Sequence, residues 1–75
     1  MRLTRSTLHL EVGGRAVTLQ GEALLPGKGN PEFIVYANTL ERWDDGQEVT
    51  PLERRRILRA IEEEAARQGR RIEVE

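Results

Sequence analysis

The chain has 75 residues, enough for one domain, and a domain of that length buries only about 60% of the surface its unfolded chain exposes. Hydrophobic residues make up 37% and charged residues 33%, a globular rather than a disordered balance. The formal net charge of -1 argues against whole-molecule electrostatic binding to nucleic acid or an anionic membrane, and the absence of cysteine excludes disulfides and thiolate metal sites.

Met1 to Leu10 alternates polar and apolar residues and has no continuous apolar run of signal-peptide length. No segment is apolar for long enough to span a bilayer. A cytoplasmic location with no membrane contact is therefore expected.

From Thr7 to Val12 the alternation places Leu8, Leu10 and Val12 on one side and Thr7, His9 and Glu11 on the other, the pattern of a half-buried strand. Gly13-Gly14 then supplies two residues that tolerate positive φ, as a tight hairpin requires. With these two as the loop, Val12 faces Arg15, Leu10 faces Val17 and Leu8 faces Leu19. A slip of one residue would set Val17 and Leu19 opposite polar side chains. Arg15 is the exception on this face, and at the hairpin end it can reach water. The second strand is expected to bend at Gly21 and continue through Leu24 and Leu25.

Pro26 to Pro31 is dense in Pro, Gly and Asn and reads as a surface loop. Phe33 to Ala37 reads as a third strand, apolar on both faces. Asn38 to Thr50 is expected to be irregular, with a short helical turn near Leu40. Thr50-Pro51-Leu52-Glu53 combines an N-cap, a proline suited to the first helical position and a glutamate that closes a capping box. A helix over about residues 51–68 follows, with Leu52, Ile57, Leu58, Ile61 and Ala65 as its apolar stripe and Gly69 at its C-terminal cap. Arg70 to Glu75 alternates again as a fourth strand. The predicted fold is α+β, in the order β-β-β-α-β: a small antiparallel or mixed sheet with one helix packed on one face, forming a single domain over residues 1–75.

No catalytic constellation emerges, and the protein is not expected to be an enzyme. His9 is the only histidine and lies on the outward side of its strand, with nothing to identify a partner or a pocket. Gly27-Lys28-Gly29 lacks the Gly-Lys-Ser/Thr ending of a phosphate loop, and Asp44-Asp45-Gly46 lacks the spaced ligands of a calcium loop. No cofactor and no metal are expected. Arg54, Arg55, Arg56 and Arg59 form a basic run early in the helix. One reading is a solvated face compensated by pairs such as Glu53–Arg56 and Arg59–Glu63. The other is a site for an anion or an acidic partner.

Trp43 sits in a polar segment. Its ring either plugs one end of the core or serves as an aromatic anchor flanked by Glu41, Asp44 and Asp45, a combination suited to a basic protein surface. One helix covers one sheet face, yet Phe33/Val35 and Ile34/Tyr36 populate both faces of the third strand, so the second face calls for cover. A weak homodimer or a partner surface is expected there unless the Asn38–Thr50 segment fills that role.

Gly21 to Gly27, Pro31 to Tyr36, Trp43, Thr50-Pro51 and Ile57 together resemble a small bacterial family, the immunity proteins of polymorphic toxin systems and specifically the group called immunity protein 74. The resemblance runs from about Leu8 to the end. It implies a cytoplasmic antidote that binds and blocks a cognate protein toxin and does no chemistry of its own. It carries over no contact residues. The candidate partner-binding residues come from the reading above: Tyr36, Glu41, Trp43, Asp44 and Asp45. The alternatives are a small nucleic-acid-binding module using the arginine-rich helix, with nucleic acid disfavoured by the charge balance, or a self-associating structural domain.

Overall fold

The computed structural model describes residues 1–25, 27 and 29–75. Its elements run β1 (Arg2–Leu3), β2 (Thr7–Val12), β3 (Arg15–Ala23), β4 (Phe33–Val35), α1 (Pro51–Arg67) and β5 (Ile72–Val74), with a 3₁₀ turn at Ala37–Thr39. Pro26 and Lys28, within the expected Pro26–Pro31 loop, lie outside the described residues. The fold is α+β, with a sheet ordered β1-β2-β3-β4-β5. All neighbours are antiparallel except β4 and β5, which are parallel. Parallel strands need a crossover connection, and α1 lies within it. One strand more is present than expected. β1 is two residues long, paired as Arg2↔His9 and Leu3↔Leu8, too short to leave a periodic signal of its own.

The β2–β3 hairpin has the predicted register, with Leu8 opposite Leu19, Leu10 opposite Val17 and Val12 opposite Arg15. Gly13 and Gly14 both have positive φ, 59° and 79°, as a primed two-residue turn requires. The aligned residues Leu8, Leu10, Val17 and Leu19 form one core cluster with Phe33 and Val35 of β4 and Ile57 and Ile61 of α1.

At Gly21 β3 gains β4 on its opposite edge, while the Gly21 and Ala23 N–H groups still donate to the Ser6 and Arg5 carbonyls. β3 is in register with β2 up to Gln20 and with β4 from Gly21 to Ala23. The strand ends at Ala23, short of Leu24 and Leu25, and Leu25 is exposed. Gly21 lies on the core side, and a Cβ there would collide with the Phe33 ring and the carbonyl oxygen of Ile34. The missing side chain is what lets Phe33 lie across β3.

The helix has both of its expected caps. Thr50 Oγ1 accepts from the Glu53 backbone N–H, and Glu53 Oε1 accepts from the Thr50 N–H. At the other end Gly69 takes φ 66°, with Gly69 N–H donating to the Ala66 carbonyl and Arg70 N–H to that of Ala65, a Schellman closure. Ile57, Ile61 and Ala65 are buried. Leu52 is not part of that inward stripe: it is 54% exposed.

The third strand is shorter than expected because the chain leaves it at Tyr36, whose N–H bonds Gln20, and turns through Ala37–Thr39. The following segment lies along the free edge of β3. Asp44 N–H donates to the Ala16 carbonyl, and Gln20 N–H donates to Thr39 Oγ1. It seals an edge that would otherwise template a further strand. It also delivers Leu40 and Trp43 into the core cluster with α1. Ile34 and Tyr36, directed to the other face, stay half-buried.

Gly21→Ala is expected to lower the unfolding free energy by about 2–3 kcal/mol, because Phe33 and β4 must shift to admit the methyl group. Urea denaturation measures it. Unchanged stability would mean that the ring does not depend on the glycine.

Candidate partner-binding surface

The residues singled out in the sequence lie along the free edge of β3. Asp44 is held at Ala16 and Tyr36 at Gln20, positions about 13 Å apart along a strand that rises roughly 3.3 Å per residue. Asp44, Asp45 and Glu41 are exposed, and Tyr36 is half-buried. Trp43 is different. It is only 5% exposed, so its ring belongs to the core and supports the surface from beneath. A cleft of about 150 Å3 lined by Val12, Gly13, Arg15, Trp43, Glu53 and Arg56 opens beside it.

What holds Trp43 in place was not evident in the sequence. Its indole Nε1–H donates to Glu53 Oε1 at 3.2 Å, and the Arg15 guanidinium stacks over its ring 4.1 Å from the centroid. Arg15 does not simply run out into water. Its Nη1 donates to Glu53 Oε2 at 2.9 Å, and its Nη2 donates to Gln47 Oε1 at 3.0 Å and lies 3.7 Å from Asp45. The flat, charged guanidinium thus covers the indole while pairing with carboxylates on both sides. Its position opposite Val12, on the apolar side of the hairpin, was the one clue available.

The Asp44–Asp45–Gly46 turn is held internally as well. Trp43 N–H donates to the Gln47 carbonyl, Gly46 N–H to the Trp43 carbonyl and Gln47 N–H to Asp45 Oδ1. The Asp44 carboxylate accepts from the Thr18 hydroxyl at 3.3 Å. With that hydrogen committed, Thr18 Oγ1 can accept from His9 Nδ1–H at 3.1 Å, leaving His9 Nε2 to accept from the Thr7 hydroxyl at 2.9 Å. A polar chain therefore runs from Asp44 across β3 to β2. It accounts for His9 as a structural residue of the outward face.

At the other end of the ridge the Tyr36 hydroxyl donates to Glu22 Oε2 at 3.2 Å. That bond, followed by desolvation and by the charges of Glu22 and Glu75, raises the phenol above its ordinary value of 10.0 and keeps it a donor. Among the described residues Glu41 bonds through its backbone, to Thr39 and Val49. Around the turn, Asp45 faces Arg15, and Glu48 lies 3.8 Å from Arg42 in an exposed pair that contributes little to stability. Among the described residues no group of three or more metal-ligating side chains is placed to hold an ion, and no helix is long and apolar enough to cross a membrane.

The basic run of α1 lacks the compensation its spacing suggested. Glu53 is taken up by Thr50, Trp43 and Arg15, and neither Glu53–Arg56 nor Arg59–Glu63 forms an ion pair among the described residues. Arg54 turns inward to bond the Leu40 carbonyl. Cations this early in a helix oppose its dipole, at about 0.3–1 kcal/mol each when exposed at low salt.

The Glu53 carboxyl is held below its ordinary value of 4.5, first by the Thr50 backbone N–H and then by the Trp43 indole. A depressed folded-state value means that this stabilisation is full above the unfolded value and is lost as pH falls through the folded one. The melting temperature should therefore decline on acidification below about pH 4.5. In Glu53→Gln it should be lower at neutral pH, and less of the acid-side decline should remain. Equal losses on acidification in the two proteins would count against this account.

No curated protein and no solved structure matches the chain. The family model for immunity protein 74 matches residues 1–75, the whole chain. A loop with exposed carboxylates over a buried tryptophan, hydrogen-bonded against a sheet edge, thus stands in a chain that belongs to the immunity protein 74 family.

Proposed function

We propose that the protein is a non-catalytic antidote that binds a cognate bacterial toxin in the cytoplasm and blocks it, and that the β3-edge ridge is the main contact. The family supports an immunity role against a toxin. The observation that carries the choice of surface is the fixed Asp44–Asp45 turn, anchored below by Trp43 and at its side by Ala16 and Thr18. A turn already held in one conformation loses little entropy on binding. Exposed carboxylates in fixed positions favour a partner with a basic cleft and speed its approach.

Tyr36, Glu41, Asp44 and Asp45 supply the contact, and Trp43 keeps them in place. The neighbouring Ile34–Tyr36 face extends the same partner surface. In register, Ile34 lies between Glu22 and Glu73. A two-fold homodimer through that face would bring like charges together, which favours a different, basic partner over a second copy.

The test is co-purification with the toxin encoded beside the gene, followed by affinity measurement. Trp43 is left intact, because its loss would disturb the core. Glu41→Gln/Asp44→Asn/Asp45→Asn, which keeps oxygens able to accept from Thr18 and Gln47, is expected to weaken binding about tenfold or more while the melting temperature changes little, with a salt-sensitive association rate. Wild-type affinity in that variant would exclude the turn as the main contact.

A further inference from the structure

The outer face of α1 carries a leucine ringed by cations. Leu52 is 54% exposed. Arg55, Arg56 and Arg59 follow it at i+3, i+4 and i+7, the spacing that gathers side chains on one helix face, and all three are exposed. Together these four residues line a cleft of about 290 Å3. None of the three guanidiniums has a carboxylate within ion-pair distance among the described residues. The one acidic residue of the first helical turn, Glu53, is committed elsewhere.

An exposed leucine and three uncompensated like charges are each unfavourable in the isolated chain. Nothing in the fold requires them, since Ile57, Ile61 and Ala65 supply the inward stripe. A partner that is both anionic and apolar relieves both. We propose that this face docks an acidic protein segment that places an apolar side chain on Leu52 and carboxylates on Arg55, Arg56 and Arg59.

The same cations could meet nucleic-acid phosphates, but two features favour protein. A phosphodiester backbone offers nothing apolar for Leu52. The basic face is also short: from Leu52 to Arg59 the helix rises about 10 Å, and exposed Glu62 and Glu63 follow immediately. A polyanion extending past the face would run into those carboxylates, whereas one or two turns of an acidic segment fit between. The guanidiniums can pair bidentately with carboxylates. This surface is separate from the β3-edge ridge, so its failure would leave the toxin-binding proposal standing.

The test uses the full chain and two probes, read by fluorescence anisotropy. One is a short helical peptide of glutamates with two leucines at i, i+4 spacing; the other is a single-stranded oligonucleotide of equal net charge. The peptide is expected to bind more tightly than the oligonucleotide. Its binding should weaken about tenfold or more in Arg55→Glu/Arg59→Glu, in Leu52→Asp, and when serine replaces the peptide's leucines. Arg55→Gln/Arg59→Gln, which adds no negative charge, provides a second reading if the reversal lowers the melting temperature. No peptide binding, binding indifferent to the arginine changes, or tighter binding of the oligonucleotide would each overturn the proposal.

Discussion

One carboxylate, shared among three parts of the chain, ties the helix start, the Trp43 loop and the hairpin end to one another. Glu53 Oε1 accepts from the Thr50 N–H at the helix start and from the Trp43 indole, while Oε2 takes the Arg15 guanidinium from the hairpin end. Each bond solves a different problem. The first satisfies a donor that a helix leaves orphaned at its N-terminus. The second lets an indole be buried without stranding its N–H. The third gives Arg15, which the hairpin register places on the apolar side, a partner and a flat surface to cover. A carboxylate near a helix N-terminus is also favoured by the dipole.

Most of what distinguishes the surface follows from that sharing. With Trp43 fixed, the preceding residues are drawn along β3, Leu40 enters the core, and Arg54 closes over it through the Leu40 carbonyl. The Asp44–Asp45 turn is then presented outward in a defined geometry. The consequence for α1 is the reverse. A glutamate that serves the interior cannot neutralise Arg56 on the outside. The anchored acidic turn and the unpaired Arg56 are thus two results of where one side chain is committed.

Legibility in the sequence tracked the distance over which each interaction acts. The hairpin register was readable because a turn two residues long fixes every pairing that follows. The helix caps were readable because both depend on bonds within a few residues. The Glu53–Arg56 pair suggested by helical spacing does not form for the complementary reason: Glu53 is captured by Arg15, 38 residues away. Leu52 was grouped with the inward stripe, yet Ile57 and Ile61 follow it at five and nine positions, nearly half a turn out of phase, so it faces outward. For Trp43 the composition of its neighbours suggested a surface anchor, while its actual position depends on a guanidinium from the hairpin end. Gly21 was recognised as a bend, but its role beneath Phe33 belongs to a pairing between strands that sequence spacing alone does not specify.

A net charge close to zero conceals this arrangement. Glu41, Asp44, Asp45 and Glu48 gather on the segment before the helix, and Arg55, Arg56 and Arg59 on the helix itself, within a body whose longest extent is 38 Å. Such segregation does little for stability, since separated exposed charges are screened over about 8–10 Å at ordinary ionic strength. Its value is in discrimination. A partner must match the sign at each site, and a mismatched surface meets like charges. A chain with so small a core has little apolar area to spare for recognition, so selectivity is better placed in fixed charges around a few apolar contacts. On the acidic side the Glu53 junction contributes by fixing Trp43 beneath the Asp44–Asp45 turn.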